Sequence, residues 1–302
     1  MSKILILGSK GQLGIEIKNK LKNKYKVISL HKGSKKYCGN FLNEKELLES
    51  IRKIKPNIII NAAAFTSVDS CENNRGVSKK INLAIPIKIA YEIKKMNSLL
   101  IHFSSDYVFS GRGSIPWGEK SKMSPVNFYG KCKALADQGI AYSGCNYVIL
   151  RSSWIYSAHG KNFLNSILKL AKMRDTLRVV DDQIGAPTST ILIANAVCEI
   201  IKNYTLEKNN SKFLKNTFNI VPDGYLSWYD YCCKIIKYLE KNKFKIKLKS
   251  KNIIGIKSKD FSQIAKRPLN SRLNNEKAKK MFDLNFVPWH EDLHQILKKK
   301  LH

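Results

Sequence analysis

Residues 4–14 read Ile4-Leu5-Ile6-Leu7-Gly8-Ser9-Lys10-Gly11-Gln12-Leu13-Gly14. The first four residues are a continuous apolar run, which is typical of a parallel strand buried on both faces. The glycines that follow have the spacing Gly-x-x-Gly-x-x-Gly, and apolar residues then recur at helical spacing through Leu21. Glycines permit positive φ and bring backbone N–H groups close to a pyrophosphate at a helix N-terminus. The stretch therefore predicts a strand, a dinucleotide-binding turn and a helix, with a plain tight turn as the alternative.

The same alternation of apolar runs and helical patterns continues through residue 150. Further strands are predicted at 27–30, 58–61, 99–103 and 147–150, and helices at 44–54, 81–96 and 129–142. Strands that alternate with helices indicate βαβ units. The fold class is therefore α/β, with a Rossmann-type doubly wound parallel sheet.

The pattern becomes less regular after Arg151. Helices are predicted at 162–173, 190–204 and 226–239, strands at 177–180 and 218–221, and a polar loop at 206–216. We expect residues 1–152 to form the dinucleotide-binding domain, with a segment at about 186–221 returning to it. Residues 153–185 and 222–302 are expected to form a smaller C-terminal, substrate-binding lobe.

The chain is strongly basic, with 54 Lys and Arg against 23 Asp and Glu and a formal net charge of +31. The lysines are spread along the whole chain, arginine is scarce, and the strongest basic runs are short. This distribution argues against a nucleic-acid partner, which requires a concentrated basic patch. The surplus charge is expected to attract anionic small molecules to a cleft.

Seven cysteines occur without a Cys-x-x-Cys pair, so reduced thiols are expected rather than a disulfide framework. Met1-Ser2-Lys3 leads directly into the first strand, without the pattern of a signal peptide. The longest apolar run, 58–65, contains Asn61 and is too short to cross a bilayer. We expect a cytoplasmic protein with no membrane partner.

The end of the second predicted strand bears on the choice of cofactor. An acidic residue there hydrogen-bonds the free ribose 2′-hydroxyl of NAD. Here the chain has His31-Lys32-Gly33-Ser34-Lys35, with several cations and no acid. This favours a ribose 2′-phosphate, so NADPH is the expected cofactor and NADH the alternative.

A candidate reacting centre consists of Ser105, Tyr129 and Lys133. Ser105 follows a strand at the carboxyl edge of the sheet, where ligands bind in open α/β folds. Tyr129 and Lys133 are four residues apart and share a helix face. An ammonium group beside a phenol is expected to lower the phenol pKa, so that Tyr129 protonates a carbonyl oxygen near neutral pH. Structural roles, as a strand cap or a solvated lysine, are the alternative.

Aromatic and arginine residues follow the later strands. Tyr107, Trp154 and Tyr156 are candidates for stacking on a sugar or base, with core packing as the alternative. Arg267 and Arg272 flank Pro268 in a late polar loop, and the guanidinium group is suited to phosphate, with a solvated charge as the alternative.

Several longer blocks resemble the dTDP-4-dehydrorhamnose reductase family, within the extended short-chain dehydrogenase/reductase superfamily. They lie in order over nearly the full length and are more specific than the general reductase motifs. The blocks are Gly8-x-x-Gly11-Gln12-Leu13-Gly14, Tyr37-Cys38-Gly39-Asn40-Phe41, 61–69, Ser104-Ser105-Asp106-Tyr107-Val108-Phe109, 125–133, Arg151-Ser152-Ser153-Trp154-Ile155-Tyr156, 182–188 and 267–273.

The resemblance implies reduction of the 4-keto group of dTDP-6-deoxy-L-lyxo-4-hexulose to dTDP-L-rhamnose, a precursor for polysaccharide biosynthesis. It implies Ser105, Tyr129 and Lys133 as the catalytic residues, and substrate contacts from Ser105, Asp106, Tyr107, Trp154 and Arg267. The motifs and the resemblance together predict these cofactor-binding residues: Gly8, Gly11, Gln12, Leu13, Gly14, His31, Lys32, Asn40, Phe41, Ala62, Ala63, Ala64, Phe65, Thr66, Tyr129 and Lys133.

The chain departs from the family pattern at several positions. Ser105 stands where Thr is common, Asn40 where Asp is common, and Phe65 where His is frequent. Some members are dimers bridged by magnesium through two acids. Glu16 matches the first acid, but Ser189-Thr190-Ile191 has no carboxylate for the second. No metal site is therefore expected, and the chain is expected to be a monomer or a homodimer.

Two alternatives to this function stay open from the sequence. One is another nucleotide-sugar 4-ketoreductase or epimerase of the same superfamily. The other is a non-catalytic NADP-binding regulatory subunit, against which the retained Ser105, Tyr129 and Lys133 argue.

Overall fold

The computed structural model describes residues 2–206, 214–284 and 286–301. Its strands are β1 (Lys3–Leu7), β2 (Lys26–Leu30), β3 (Ile58–Asn61), β4 (Leu99–Ser105), β5 (Asn146–Ser152), β6 (Ile155–Tyr156), β7 (Leu177–Val180), β8 (Ile184–Gly185), β9 (Thr188–Ser189), β10 (Asn216–Asn219), β11 (Leu226–Ser227) and β12 (Ile253–Ile256). Its α-helices are α1 (Gln12–Leu21), α2 (Glu44–Ile54), α3 (Val68–Asn73), α4 (Arg75–Lys79), α5 (Ile85–Lys94), α6 (Phe128–Ser143), α7 (Phe163–Met173), α8 (Thr190–Leu206), α9 (Trp228–Lys241), α10 (Glu276–Phe282) and α11 (Trp289–Leu301).

A six-stranded parallel sheet organises the molecule, in the order β10-β5-β4-β3-β1-β2. The strand order reverses next to β1, as in other doubly wound sheets. The carboxyl ends of β1, β3 and β4 therefore lie side by side at one edge. The predicted α/β fold class is confirmed.

Helices cover both faces of this sheet because alternate residues of its strands point to opposite sides. On one face, Ile4 and Ile6 of β1 pack in a core that includes residues of α1, α8 and α10. On the other face, Leu5 and Leu7 pack against α2 and α5. Burial on both faces explains why these strands are continuous apolar runs.

A separate apolar cluster joins the later elements. It contains buried residues of α7, α9 and α11 together with residues of β7 and β12, which pair in parallel. The helix α10 lies outside this cluster, since Ala278 and Phe282 pack in the core of the large sheet. None of the described helices is long and apolar enough to span a membrane.

Most predicted elements agree with the structure to within two residues at each end. The predicted helix 81–96 is different, because a π-helical turn, Lys80–Ala84, precedes α5, with Pro86 in the first turn of the α-helix. Strand β12 and the helices α10 and α11 were not predicted. The predicted loop at 206–216 lies largely outside the described residues, while its end at Asn216 begins β10.

Candidate active site

The glycine turn after β1 forms a close-packed cradle at the start of α1. Gly8 has a φ of +80°, and a Cβ added there would lie 2.6 Å from the backbone nitrogen of Ala63. A Cβ on Gly14 would lie 2.3 Å from the carbonyl oxygen of Gly8. Gly11, the N-cap of α1, has no side chain to cap the first N–H groups. These groups are therefore free to bind an anion, and the turn fits the pyrophosphate of a dinucleotide.

The side chain of Gln12 connects this turn to the loop before α7. Its Oε1 accepts hydrogen bonds from Ser157 Oγ at 2.9 Å and Asn162 Nδ2 at 2.6 Å. Its Nε2 donates to the carbonyl of Lys161 at 3.1 Å. Gln12 therefore holds the loop before α7 against the cofactor turn, while Leu13 is buried in the core beneath it.

The other residues implied in cofactor binding surround the same sheet edge. Residues 62–66 follow β3 and approach the glycine turn at Ala63, and the Phe65 N–H donates to Asn82 Oδ1 at 2.9 Å. Phe41 is buried under β2, and the imidazole of His31 is hydrogen-bonded to Ser34 Oγ. Lys32 is exposed. Their assignment to the cofactor stays a prediction.

Ser105 ends β4 at this edge and is followed by a short 3-10 turn, Asp106–Val108. The Ser105 hydroxyl donates to Asp106 Oδ1 at 2.9 Å and accepts from the Tyr107 N–H at 3.2 Å. Burial raises the pKa of Asp106 to about 6, against the opposing effect of the Ser271 and Ser105 hydroxyls. Ser105 is thus held in one orientation by its own turn.

The N-terminus of α6 brings Tyr129 toward Ser105. Asn127 caps the helix by accepting from the Gly130 N–H at 2.8 Å, and Glu72 accepts from the Phe128 N–H at 2.7 Å. A Cβ on Gly130 would lie 2.1 Å from the carbonyl oxygen of Tyr107. The absence of a side chain at Gly130 therefore lets α6 pack directly on the turn after Ser105.

Tyr129 is positioned by aromatic and polar neighbours. Its ring meets that of Tyr107 edge to face, with 5.9 Å between centroids. A hydrogen bond with Ser105 lowers the pKa of Tyr129, but burial has the larger and opposite effect, aided by the charge of Asp106. The net pKa is raised. The prediction that Lys133 brings this pKa toward neutrality is therefore wrong.

Lys133 lies one turn further along α6 and is fully buried. Its amine points toward β4, where it donates to the carbonyl of Phe103 and lies 3.2 Å from His102 Nε2. Burial lowers the pKa of Lys133 to about 8, although Asp137 and Cys132 act in the opposite direction. Lys133 shares the predicted helix face with Tyr129, but its hydrogen bonds go to the sheet.

A cavity of about 730 Å³ lies along β2, and a second, of about 540 Å³, lies between α7, β7 and the start of α9. Residues of α7, β7 and α9 line the second cavity, together with Tyr107 and Arg267. Arg267 donates to Asp69 Oδ2 at 2.7 Å and to Gln263. Tyr107 joins this cavity to the reacting centre, because its ring also touches Tyr129. The second cavity therefore lies next to the reacting centre, and its use by the substrate stays a prediction.

Three residues predicted near the cleft have other environments. Tyr156 is 1% exposed, packs on Tyr231 and hydrogen-bonds Asp292, so core packing accounts for it. Arg272 bonds Asn270 Oδ1 and is not among the residues that line the cavity. Trp154 stacks on Trp228, with ring centroids 3.5 Å apart, and Trp228 lines the cavity.

Sequence reasoning did not single out three residues around this site. Trp228 begins α9, and its role follows only from the stacking partner that the fold supplies. Asp69 anchors Arg267 across a long sequence separation. His102 interrupts an apolar strand run, as Asn61 does, and this shared polarity in neighbouring strands was the available signal.

An uncapped glycine turn after β1, with a Ser–Tyr pair formed by the end of β4 and the start of α6, defines an NAD(P)-dependent oxidoreductase of Rossmann fold. Residues 2–301 match the family described as RmlD substrate binding domain. The chain belongs to this family, that of the dTDP-4-dehydrorhamnose reductases.

Individual relatives are similar over almost the full length. The dTDP-4-dehydrorhamnose reductase of Salmonella typhimurium is 35% identical over 294 residues, covering 97% of this chain and 96% of the relative. The solved structure of the Clostridium acetobutylicum reductase has a TM-score of 0.88 at 31% identity, covering 99% of this chain and all of the other. The Bacillus anthracis reductase, solved in complex with NADP, has a TM-score of 0.87 at 26% identity, with 99% of each chain covered.

Proposed function

We propose that this protein catalyses the NADPH-dependent reduction of the 4-keto group of dTDP-4-dehydrorhamnose to give dTDP-L-rhamnose. The observation that carries the proposal is the approach of Tyr129 and Ser105 at the sheet edge that also holds the glycine turn. Full-length similarity to reductases of this name supports the choice of substrate. The product would serve polysaccharide synthesis.

The residues present fit a bound NADPH, which supplies the hydride for the ketone carbon. Gly8, Gly11 and Gly14 leave room for the pyrophosphate, and the N–H groups at the start of α1 face it. Lys32 is available for a ribose 2′-phosphate. The NADP complex of the Bacillus anthracis relative supports this cofactor.

Ser105 and Tyr129 act on the ketone oxygen. The Ser105 hydroxyl donates its single proton to Asp106 Oδ1, and it turns this proton to the ketone oxygen when it hydrogen-bonds the substrate. Tyr129 then transfers its hydroxyl proton to the oxygen as the C–H bond forms at carbon, which leaves an alcohol and a phenolate. The raised pKa of Tyr129 keeps this proton in place until the substrate arrives. In its ammonium form Lys133, one turn along the same helix face, stabilises the phenolate, and this stabilisation is lost as the pH rises through the lowered pKa of Lys133, about 8.

The cavity of the smaller lobe supplies recognition. Arg267 is positioned to bind a diphosphate. It lines the cavity, and its guanidinium group is oriented by the hydrogen bond to Asp69. Trp228 and Phe163 offer aromatic faces for the sugar or base. Trp154 supports Trp228 from behind by stacking.

The activity is tested by supplying NADPH and dTDP-4-dehydrorhamnose generated in situ, with the product identified by mass spectrometry and NMR. We expect NADPH oxidation and a dTDP-6-deoxyhexose reduced at C4. Product inverted at a carbon centre without net NADPH consumption would indicate an epimerase. Tight NADP binding without turnover on any 4-keto nucleotide sugar would indicate a regulatory subunit.

The cations at the end of β2 predict a preference for NADPH. We expect kcat/KM to be higher with NADPH than with NADH by about tenfold, the effect of one favourable charged contact. The Lys32→Ala variant should lose part of this preference without a change in kcat. Lys22→Ala, another exposed lysine, serves as the matched control. Higher kcat/KM with NADH in the wild type would contradict this assignment.

We propose that catalysis requires no divalent metal and that the chain acts as a monomer or as a homodimer without a metal bridge. Glu16 shares a small cavity with Lys299, Thr190 and Ile191, so a cation there would meet one carboxylate and an ammonium group. Added EDTA should leave turnover and molecular mass in solution unchanged, as measured by activity and light scattering. If EDTA abolished turnover and lowered the molecular mass in solution, and Mg²⁺ restored both, the proposal would be overturned.

We also propose the division into a dinucleotide-binding unit at 1–152, joined by about 186–221, and a substrate-binding lobe at 153–185 and 222–302. The separate apolar cluster of the lobe supports this division, although α10 packs with the large sheet. All seven cysteines are free thiols, which supports a cytoplasmic location.

A further inference from the structure

Two buried polar side chains lie opposite each other on β3 and β4, the two central strands of the parallel sheet. Asn61 of β3 pairs with His102 of β4, and the two are 1% and 0% exposed. Asn61 Nδ2 lies 3.1 Å from His102 Nδ1, and the other imidazole nitrogen, Nε2, lies 3.2 Å from Lys133 Nζ. Polar groups this deeply buried must be satisfied by specific partners. The side chains of Asn61, His102 and Lys133 therefore form a hydrogen-bonded series that connects the sheet interior to the reacting centre.

The orientation of Asn61 is determined by the backbone. Its Oδ1 accepts from the Ala63 N–H at 3.2 Å, so the amide group presents Nδ2 to the imidazole. An amide nitrogen only donates, and His102 Nδ1 must therefore be the unprotonated acceptor. Burial lowers the pKa of His102, with the Lys133 charge adding to the effect, so the imidazole is neutral. A neutral imidazole with a bare Nδ1 carries its proton on Nε2.

This tautomer directs an N–H group at the side chain of Lys133. An ammonium group only donates and has no lone pair to accept from Nε2–H. An unprotonated amine does accept that hydrogen bond, while one of its own N–H groups donates to the Phe103 carbonyl. With the amine form of Lys133, both the His102 Nε2–H group and the Phe103 carbonyl have a hydrogen-bond partner. With the ammonium form, the hydrogen bond from His102 is lost.

We propose that Asn61 and His102 are positioning residues that hold the Nε2–H tautomer toward Lys133 and thereby favour the unprotonated amine of the catalytic lysine. The titratable groups that face this amine are His102 from β4 and Asp137 and Cys132 from its own helix. Asp137 is paired with Arg151 of β5 at 3.0 Å, which limits its pull on the lysine proton. Lys133 therefore releases its proton more readily than an ordinary lysine. The effect of this tautomer on turnover rests on the proposed function. The tautomer itself can be measured whether or not the proposed function holds.

The tautomer is measured directly by ¹⁵N NMR of the wild-type protein labelled in histidine, since protonated and bare ring nitrogens have distinct shifts. His102 is assigned by the signal that disappears in His102→Gln. We expect a protonated Nε2 and a bare Nδ1. A protonated Nδ1, or a doubly protonated ring, would overturn the proposal. This reading requires no turnover, so it stands apart from any failure of the proposed activity.

The effect of the tautomer on the protonation of Lys133 is tested by reversing the direction of the hydrogen bond between Asn61 and His102. In Asn61→Asp the carboxylate accepts from Nδ1–H, which leaves Nε2 to accept from the ammonium group. We expect the alkaline limb of the kcat/KM profile to move to higher pH by roughly half to one unit, the effect of one net hydrogen bond. His102→Gln, whose oxygen also accepts from an ammonium, should move it in the same direction and serves if Asn61→Asp does not fold. The surface variant His294→Gln is the matched control and should leave the limb in place. If Asn61→Asp and His102→Gln fold and the alkaline limb of their kcat/KM profiles does not move, the proposal is overturned.

Discussion

Replacement of Tyr129 by Phe is expected to lower kcat by about 10²–10⁴-fold, the usual contribution of a positioned general acid. The ring fills the same buried space and keeps its edge-to-face contact with Tyr107, so only the hydroxyl is lost. NADPH binding should change little, because the glycine turn and the start of α1 are untouched. Steady-state kinetics and cofactor titration by fluorescence measure the two effects separately.

The matched control for this variant is Tyr142→Phe. Tyr142 lies on the same helix, α6, and is 87% exposed. It removes a phenol hydroxyl from the same element without touching the reacting centre, so turnover should be unchanged. Wild-type kcat in Tyr129→Phe would show that the proton comes from another group.

Gly130→Ala is expected to damage both activity and stability. The added methyl group would lie 2.1 Å from the Tyr107 carbonyl oxygen, which is backbone and has little freedom to move. Either α6 or the turn after Ser105 must shift, which separates Tyr129 from Ser105. A displacement of about 1 Å costs roughly 10²-fold in rate, and overpacking of this kind costs about 1–3 kcal/mol of unfolding free energy. Steady-state kinetics and urea denaturation measure the two losses.

Gly76→Ala is the control for the general effect of a helical Gly-to-Ala change. Gly76 lies in α4, and a Cβ there meets no heavy atom within 4 Å. Since alanine is the better helix former, stability should rise by up to about 1 kcal/mol and turnover should stay the same. If Gly130→Ala behaved like Gly76→Ala, the close packing of α6 on the turn would not position Tyr129.

The sheet could be predicted because its strands carry their burial in their own sequence. β1 and β3 are nearly pure isoleucine and leucine runs, and the structure buries them on both faces. The smaller lobe was harder to predict, since β12 is a half-exposed strand whose partner is β7, far away in the chain. Short, non-local elements of this kind depend on tertiary contacts rather than on local pattern.

The candidate site was predicted by residue type but not by its electrostatics. Spacing along α6 placed Tyr129 and Lys133 on one face, as the structure has them. Spacing could not report that desolvation outweighs nearby charge, and this is what raises the pKa of Tyr129. It also could not report that Lys133 turns toward His102, because that contact joins two elements through the register of β4.

The substrate side shows a similar limit. Trp154 and Tyr156 are two residues apart: Trp154 directly precedes the short strand β6, which pairs with β9, and Tyr156 ends it. Tyr156 ends in the core of the smaller lobe, whereas Trp154 stacks on Trp228 beside the cavity. Sequence alone treats the two aromatics alike, and only their packing partners separate them.

In the proposed mechanism the hydroxyl of Tyr129 delivers the proton to the sugar ketone beside the nicotinamide. A crystal structure with NADP⁺ and dTDP-L-rhamnose tests it through the distance from Tyr129 Oη to the C4 oxygen of the sugar. We expect about 2.6–3.2 Å, the range for proton transfer through a hydrogen bond, with Ser105 Oγ bound to the same oxygen. A C4 oxygen bound by other groups, with Tyr129 Oη out of hydrogen-bonding range and no bridging water, would contradict it.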